Sequence, residues 1–363
     1  MTPTRPHSRP CRGRSDVAET ARRASRLDWV DTGRGTAILL VVLFHSINWL
    51  LEAGFDVAGW QTASAFIASL RLPLFFMLAG LFAQKWLTAP WPKLWSTKLS
   101  LYVWVYALWS VIATFTFMLG LNLQGQEGNY LYQLVYLVAA PVSPRFELWF
   151  IWALALFFAG AKLIRRVPPW IQLSLAAILS IVAMSIEGFG GIGWGGAAKY
   201  AFFFLVGLYL RDRIMTYATS TRWALLGVAC AVWAAVAAAG TFGGLATSVP
   251  GYYFLTCCLG LLAGICLSRV LSPVRFLRRI GSRTLPIYLT HTSIILIVCW
   301  LLHFLAEPVK ENLLVAVLAP PLLAAGSAWL SLVIANRVER SPVLRYAYVQ
   351  PAWLSRSKSV DSR

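Results

Sequence analysis

The first strongly apolar stretch of the chain is Arg34-Gly35-Thr36-Ala37-Ile38-Leu39-Leu40-Val41-Val42-Leu43-Phe44-His45. On an α-helix, eleven residues make about three turns, so Arg34 and His45 lie on one face. The rise between them is about 16 Å, roughly half of the hydrocarbon core of a bilayer. Ionisable groups at that depth are costly and mark a functional site. We therefore take the pair as a candidate site; an anchoring Arg and a hydrogen-bonded packing His are the alternative.

The composition around this stretch indicates an all-α polytopic membrane protein. Hydrophobic residues make up 58% of the chain, charged residues 13%, and the mean hydropathy is +0.66. Such values are typical of membrane proteins and not of soluble cores. Apolar segments long enough to cross a bilayer predict about ten transmembrane helices. They fall near 36–53, 65–84, 99–120, 146–163, 170–187, 197–210, 222–242, 252–271, 284–305 and 312–335.

The net charge of +18 is explained by topology. Basic residues fall almost entirely in the two tails and in alternate loops, whereas the opposite loops contain only Arg145 and Lys310. This is the positive-inside pattern, with both termini in the cytoplasm. We predict a disordered basic cytoplasmic tail at 1–26, a transmembrane domain at 27–340 and a basic cytoplasmic tail at 341–363. The basic residues are accounted for in this way, so we expect no nucleic-acid partner.

A few further ionisable residues fall inside or at the ends of the predicted spans. Arg71 and Glu147 approach from the outer side, where a snorkelling Arg and an interfacial Glu are the alternatives. Arg283 and His291 belong to the ninth span, which runs in the same direction as the first, so His291 and His45 should reach similar depths. The cysteines show no metal-ligand spacing, so we expect neither a metal site nor disulfides.

Several of these residues fall within a series of motifs that is found in one family. The chain carries, in this order, Arg26-Leu27-Asp28, Arg34-Gly35, His45, Leu74-Phe75-Phe76-Met77-Leu78-Ala79-Gly80, Leu148-Trp149-Phe150 and Ile287-Tyr288-Leu289-Thr290-His291. In this it resembles the membrane acyltransferase family 3, whose members typically have about ten helices and an Arg and a His separated by ten residues in the first. The family commonly has Ser where this chain has Ala79, so we give that position no role. We expect no fused hydrolase-like domain.

The resemblance implies O-acyl transfer from cytosolic acyl-CoA, with an acetyl group expected, across a bacterial cytoplasmic membrane. The acceptor would be a hydroxyl of an extracytoplasmic glycan or lipid-linked sugar. We expect Arg34, Arg283 and His291 to bind the donor, whose phosphates need cations. Among the catalytic candidates, His45 would take the proton of the hydroxyl, since imidazole has an ordinary pKa of about 6.5. Arg71 would stabilise the oxyanion, and Glu147 would orient the His or bind the acceptor.

Two other classes of protein fit parts of the pattern. A transporter or flippase for a glycolipid would use the same His and Arg side chains as a proton or substrate path. A membrane scaffold would explain the topology but not the buried polar groups. Within the acyltransferase hypothesis, direct transfer and an acyl-His intermediate are both open.

Overall fold

The computed structural model of the protein describes residues 12–121, 123–125 and 130–355. The side chains of residues 12–27 and of residue 58 lie outside this description. Over the described ranges the chain forms helices and no β-strand, and eight helices are long and apolar enough to cross a membrane. The predicted class, an all-α polytopic membrane protein, is thereby confirmed.

The helices differ widely in length. The main ones are α1 (Arg12–Glu52), α2 (Ala58–Gly80), α3 (Ser100–Gly120), α4 (Tyr130–Ala139), α5 (Trp149–Leu163), α6 (Pro169–Ser185), α7 (Gly196–Tyr209), α8 (Arg211–Ser220), α9 (Trp223–Phe242), α10 (Tyr252–Val270), α11 (Arg275–Gly281), α12 (Thr284–Leu302) and α13 (Leu313–Val338). Single turns lie at Gln84–Thr88, Trp91–Leu94, Leu245–Ser248, Glu307–Lys310, Leu344–Ala347 and Ala352–Ser355, with π-helical turns at Trp95–Leu99 and Gly191–Gly195. The predicted spans 146–163 and 170–187 correspond to α5 and α6, which have 15 and 17 residues and are shorter than the eight long helices.

The two predicted tails are only partly described. Residues 1–11 and 356–363 lie outside the described residues, while the backbone from Arg12 onward is already helical. The segment after α13 packs against α3, because the indole nitrogens of Trp104 and Trp109 donate to the carbonyls of Tyr346 and Ala347 at 2.6 and 2.8 Å. The cytoplasmic location of both tails stays a prediction.

Helix α1 is the central element of the bundle. It packs against α2, α10, α12 and α13 and carries α11 beside it. The contact with α11 is a backbone contact: a Cβ on Gly35 would overlap the carbonyl oxygen of Leu277, and one on Gly281 would overlap that of Asp31. An ion pair between Asp28 and Arg278 closes the same contact. The face of α1 that carries Arg34 and His45 is therefore fixed within the bundle.

Helices α2 and α7 also meet backbone to backbone. A Cβ on Gly80 would overlap the carbonyl oxygen of Phe204, and a Cβ on Gly207 would overlap that of Met77. Small residues at such crossings let membrane helices approach closely, which strengthens their packing. This crossing anchors α2, the helix that carries Arg71 through the protein interior.

The chain between α4 and α5 turns inside the protein. Helix α4 has 10 residues, about 15 Å, which is half the thickness of a hydrocarbon core. In the turn that follows, Phe146 has a φ of 52°, a strained conformation for a bulky side chain. The Tyr288 hydroxyl donates to the carbonyl of Glu147 at 2.6 Å and accepts from the amide of Ile151 at 3.3 Å. These bonds satisfy backbone groups that the interrupted helix leaves free and fix the position of Glu147.

The α2–α7 crossing generates a prediction for stability. Gly207→Leu should lower the free energy of unfolding by about 1–3 kcal/mol, because the side chain has no space against the backbone of α2. The matched control is Gly227→Leu on α9, where a Cβ meets no atom within 4 Å. Unfolding in detergent by titration with dodecyl sulfate measures both variants. Equal stability of the two would contradict the assignment of this crossing.

Candidate active site

A cavity of about 430 Å³ lies between α1, α2, α3, α5 and α12. We call it the His45 cavity. Three of the residues singled out in the sequence line it together: His45, Arg71 and Glu147. The rest of the lining is largely aromatic, and Thr292 and Arg145 add polar groups. An apolar cavity with a few convergent polar side chains is the usual form of a small-molecule site.

The imidazole of His45 faces this cavity. The residue is half-buried, and within the described part of the chain no side chain or backbone group hydrogen-bonds its ring nitrogens. The imidazole of His291 lies beside it, with ring centroids 5.2 Å apart. The two histidines thus reach the same depth, as their positions in the first and ninth spans predict. A ring nitrogen of His45 is left free to bind a group in the cavity.

His291 lies behind His45 and lines neither this cavity nor the one described below. It is 0% exposed, and its Nδ1 lies 2.9 Å from the carbonyl oxygens of both Ile287 and Tyr288. Since both partners are acceptors, the network assigns the hydrogen to Nδ1. Nε2 is then an acceptor, and it lies 3.2 Å from the hydroxyl of Thr292.

Thr292 lies between His291 and Glu147. Since Nε2 of His291 is an acceptor, the Thr292 hydroxyl donates to it. Glu147 and Thr292 both line the His45 cavity, and Glu147 is only 7% exposed. Glu147 is therefore a buried carboxyl group on the cavity wall.

Arg71 lies deeper than the sequence suggests. Helix α2 begins at Ala58, so Arg71 comes about 20 Å along it. The residue is 7% exposed, and its guanidinium carbon lies 4.2 Å from the ring centroid of Phe44. One terminal nitrogen, Nη1, is buried without a hydrogen-bond partner in the described structure. Because native proteins rarely leave such donors unsatisfied, we interpret it as a site for an anionic or developing negative group.

A second cavity of about 300 Å³ contains Arg34. We call it the Arg34 cavity. Lys85 and Lys98 line it with Arg34, and the one acidic side chain in ion-pair contact with Arg34 among the described residues is Asp31, at 3.6 Å. Sequence reasoning assigned Lys85 and Lys98 only to a basic loop. The three cations make this cavity suited to a polyanionic ligand.

The two cavities meet at three aromatic side chains. Phe75, Phe150 and Tyr288 line both cavities. The ring centroids of Phe75 and Phe150 are 4.8 Å apart, and those of Phe150 and Tyr288 are 5.6 Å apart. The face of α1 that carries Arg34 and His45 therefore lies along two adjacent cavities, and we call the three aromatic side chains between them the aromatic passage.

Arg283 is placed away from these cavities. Its guanidinium makes two hydrogen bonds of 2.8 Å to the carboxylate of Glu339 and a further one to Asn336. The Arg34 cavity is lined by the next two residues, Thr284 and Leu285, but not by Arg283. The structure therefore does not bring Arg283 or His291 to Arg34, where the sequence predicted a shared donor site. The guanidinium of Arg283 is instead paired with Glu339, directly after α13, and the imidazole of His291 is buried inside the bundle.

Fold and site together define a polytopic membrane protein with two adjacent cavities that share aromatic lining residues. A family model described as an acyltransferase domain, that of acyltransferase family 3, matches residues 27–335. The chain belongs to this family and is a membrane acyltransferase. No curated protein and no solved structure matches it. Family membership supports the acyltransferase hypothesis over the transporter and scaffold alternatives. Across the residues described, no three His, Cys, Asp or Glu side chains converge as metal ligands would.

The bond between Thr292 and His291 predicts a positioning role for Thr292, which the sequence did not single out. Thr292→Val keeps the shape and removes the hydroxyl, so the acyl-transfer rate should fall about tenfold, the effect of one lost hydrogen bond. Thr292→Ser should restore the rate, and acyl-donor binding should be unchanged in both variants.

The control is Ser293→Ala on the same helix, since the Ser293 hydroxyl lies 3.2 Å from that of Thr116 instead. Steady-state kinetics of the purified variants give the rate and the donor KM separately. Full activity in Thr292→Val, or an equal loss in Ser293→Ala, would rule out this role.

Proposed function

We propose that the protein transfers an acyl group, acetyl in the first instance, from acyl-CoA to a hydroxyl of a glycan or lipid-linked sugar. The observation that carries the proposal is that the cation-lined Arg34 cavity adjoins the His45 cavity. The donor would occupy the first cavity and the acceptor the second. The transferred group would cross between them at the aromatic passage.

The Arg34 cavity suits the donor in charge and position. Coenzyme A carries several phosphates, and Arg34, Lys85 and Lys98 offer positive charge for them. The rise from Arg34 to His45 along α1 is about 16 Å. The pantetheine arm is long and unbranched, so a thioester at its end suits a narrow passage lined by aromatic rings. Binding of the phosphates at Arg34 would direct the thioester towards His45.

The His45 cavity supplies groups for the chemical step. His45 would take the proton of the acceptor hydroxyl as its oxygen attacks the thioester carbonyl. A carbon–oxygen bond forms, the carbon–sulfur bond breaks, and the proton passes from His45 to the leaving thiolate. The unpartnered nitrogen of Arg71 would stabilise the negative charge on the carbonyl oxygen in between. Attack by His45 itself, giving an acyl-imidazole before the acceptor reacts, is the alternative route.

Glu147 and His291 would assist this step by orienting the groups that react, without reacting themselves. The bond from Thr292 to His291 would hold the His291 ring against His45. Glu147 also lines the cavity, where its carboxyl group is available to hydroxyls of the acceptor. We assign His291 to this supporting role and not to donor binding.

The charge pattern of the loops orients the reaction. With the basic loops in the cytoplasm, the Arg34 cavity opens towards the cytosol, where acyl-CoA is made, and the His45 cavity faces the other side. We therefore place the protein in a bacterial cytoplasmic membrane, acting on an envelope glycan or its lipid-linked precursor.

The experiment that tests the proposed function follows labelled acetyl groups. Membranes containing the protein and radiolabelled acetyl-CoA should yield labelled lipid or glycan, and His45→Ala should abolish this label with unchanged protein abundance. The control is His303→Ala, because His303 lies at the end of α12 and contacts the carbonyl of Ala53 at 3.4 Å. Transfer that survives in His45→Ala would exclude this residue as the base.

Measurements of donor binding distinguish Arg34 from Arg283, the two arginines that the sequence assigned to the donor. Arg34→Ala should weaken acyl-CoA binding by about 1.5–3 kcal/mol, the value of a charge-assisted hydrogen bond. Arg34→Lys should recover part of the affinity, because a point charge still attracts phosphate. Arg283→Ala should leave the affinity unchanged, since this guanidinium is engaged by Glu339. Calorimetry with the purified variants decides the matter, and an equal loss in Arg34→Ala and Arg283→Ala would show that the donor binds elsewhere.

A further inference from the structure

A groove of about 600 Å³ runs along the outside of the bundle between α3, α4 and α5. We call it the lateral groove. Its lining is apolar over most of its length, with Ala107 and Val111 from α3, Val138 from α4, and Leu156 from α5. Val138 is 83% exposed, so the groove is open towards the surrounding bilayer. Its shape and surface suit a hydrocarbon chain.

The lateral groove approaches the His45 cavity. A small cavity of about 10 Å³ between them shares Tyr106, Ser110 and Leu137 with the groove, and it shares Arg145 and Phe146 with the His45 cavity. The charged group at this end is Arg145, whereas Tyr102 also lines the Arg34 cavity at the other end of the groove. A ligand with an apolar tail and a polar head could lie in the groove with its head in the His45 cavity.

Arg145 stands at the junction. Its Nη1 donates to the side-chain oxygen of Gln133 at 3.0 Å, and its guanidinium carbon lies 4.1 Å from the ring centroid of Tyr136. Within the described ranges no carboxylate forms an ion pair with it. A guanidinium that is held in place but not neutralised is suited to a phosphate.

We propose that the lateral groove binds the hydrocarbon chain of a lipid-linked acceptor whose phosphate lies at Arg145 and whose sugar lies in the His45 cavity. The inference rests on the proposed function and specifies its acceptor as a sugar joined through phosphate to one long chain. One groove accommodates one chain, which favours a polyisoprenyl phosphate over a two-chain glycerolipid.

The membrane setting determines which part of the ligand supplies affinity. Lipid tails are as apolar as the groove, so moving a chain into it releases no hydrophobic free energy. The groove therefore orients the chain, while the charge at Arg145 supplies most of the selectivity over bulk lipid. Binding should accordingly require the phosphate as well as the open groove.

Binding of decaprenyl phosphate to the purified full-length protein tests the proposal, with native mass spectrometry as the readout and no acyl donor present. Ala107→Trp fills the groove and Arg145→Gln removes the charge, so each should weaken binding at least tenfold. Ala231→Trp makes the same change at an exposed position of α9 and should bind as the unmodified protein does. Decaprenol, which lacks the phosphate, should bind at least tenfold more weakly.

Three results would overturn the proposal. They are no binding of decaprenyl phosphate, equal binding by the Ala107→Trp and Ala231→Trp proteins, and equal retention of a two-chain phosphatidic acid with the same dependence on Arg145. Acetyl-CoA binding, measured on the same samples, distinguishes a failure of this proposal from a failure of the proposed function. Decaprenyl phosphate binding without any acetyl-CoA binding or transfer would leave the groove assigned and remove the proposed reaction.

Discussion

Four ionisable side chains lie at the centre of this helical assembly, and a bilayer tolerates such groups only where protein surrounds them. His45, Arg71, Glu147 and His291 come from α1, α2, the turn before α5, and α12, respectively. The close crossings at Gly35 and Gly207 fix α1 against α11 and α2 against α7, and Tyr288 fixes the turn that carries Glu147. The bundle thus provides the enclosed surroundings that the four side chains require.

This arrangement gives two adjacent cavities that differ chemically. The Arg34 cavity contains three cations. The His45 cavity combines an imidazole and a guanidinium nitrogen that have no hydrogen-bond partner among the described residues with a buried carboxyl group. The aromatic passage at Phe75, Phe150 and Tyr288 lies between the two cavities. The Arg34 cavity suits a polyanion, and the imidazole in the His45 cavity can take up a proton. Such a division suits a reaction whose two substrates arrive from opposite sides of a membrane.

The sequence was sufficient for the helical class and for placing Arg34 and His45 on one helix, because both depend on local periodicity and on the apolar composition of the spans. It also predicted the common depth of His45 and His291. It could not predict that Glu339 engages Arg283, or that Lys85 and Lys98 join Arg34, since these contacts depend on how distant helices pack. Thr292 gave no sequence signal, because a Thr within an apolar helix usually bonds its own backbone.

A structure of the protein with a thioether analogue of acetyl-CoA, which binds but cannot transfer its acyl group, tests the central claim most directly. The account predicts the phosphates of the analogue beside Arg34, Lys85 and Lys98, and its acyl end beyond Phe150 in the His45 cavity. Phosphates bound at Arg145 on the other side of the passage, or an acyl end that never reaches His45, would contradict it.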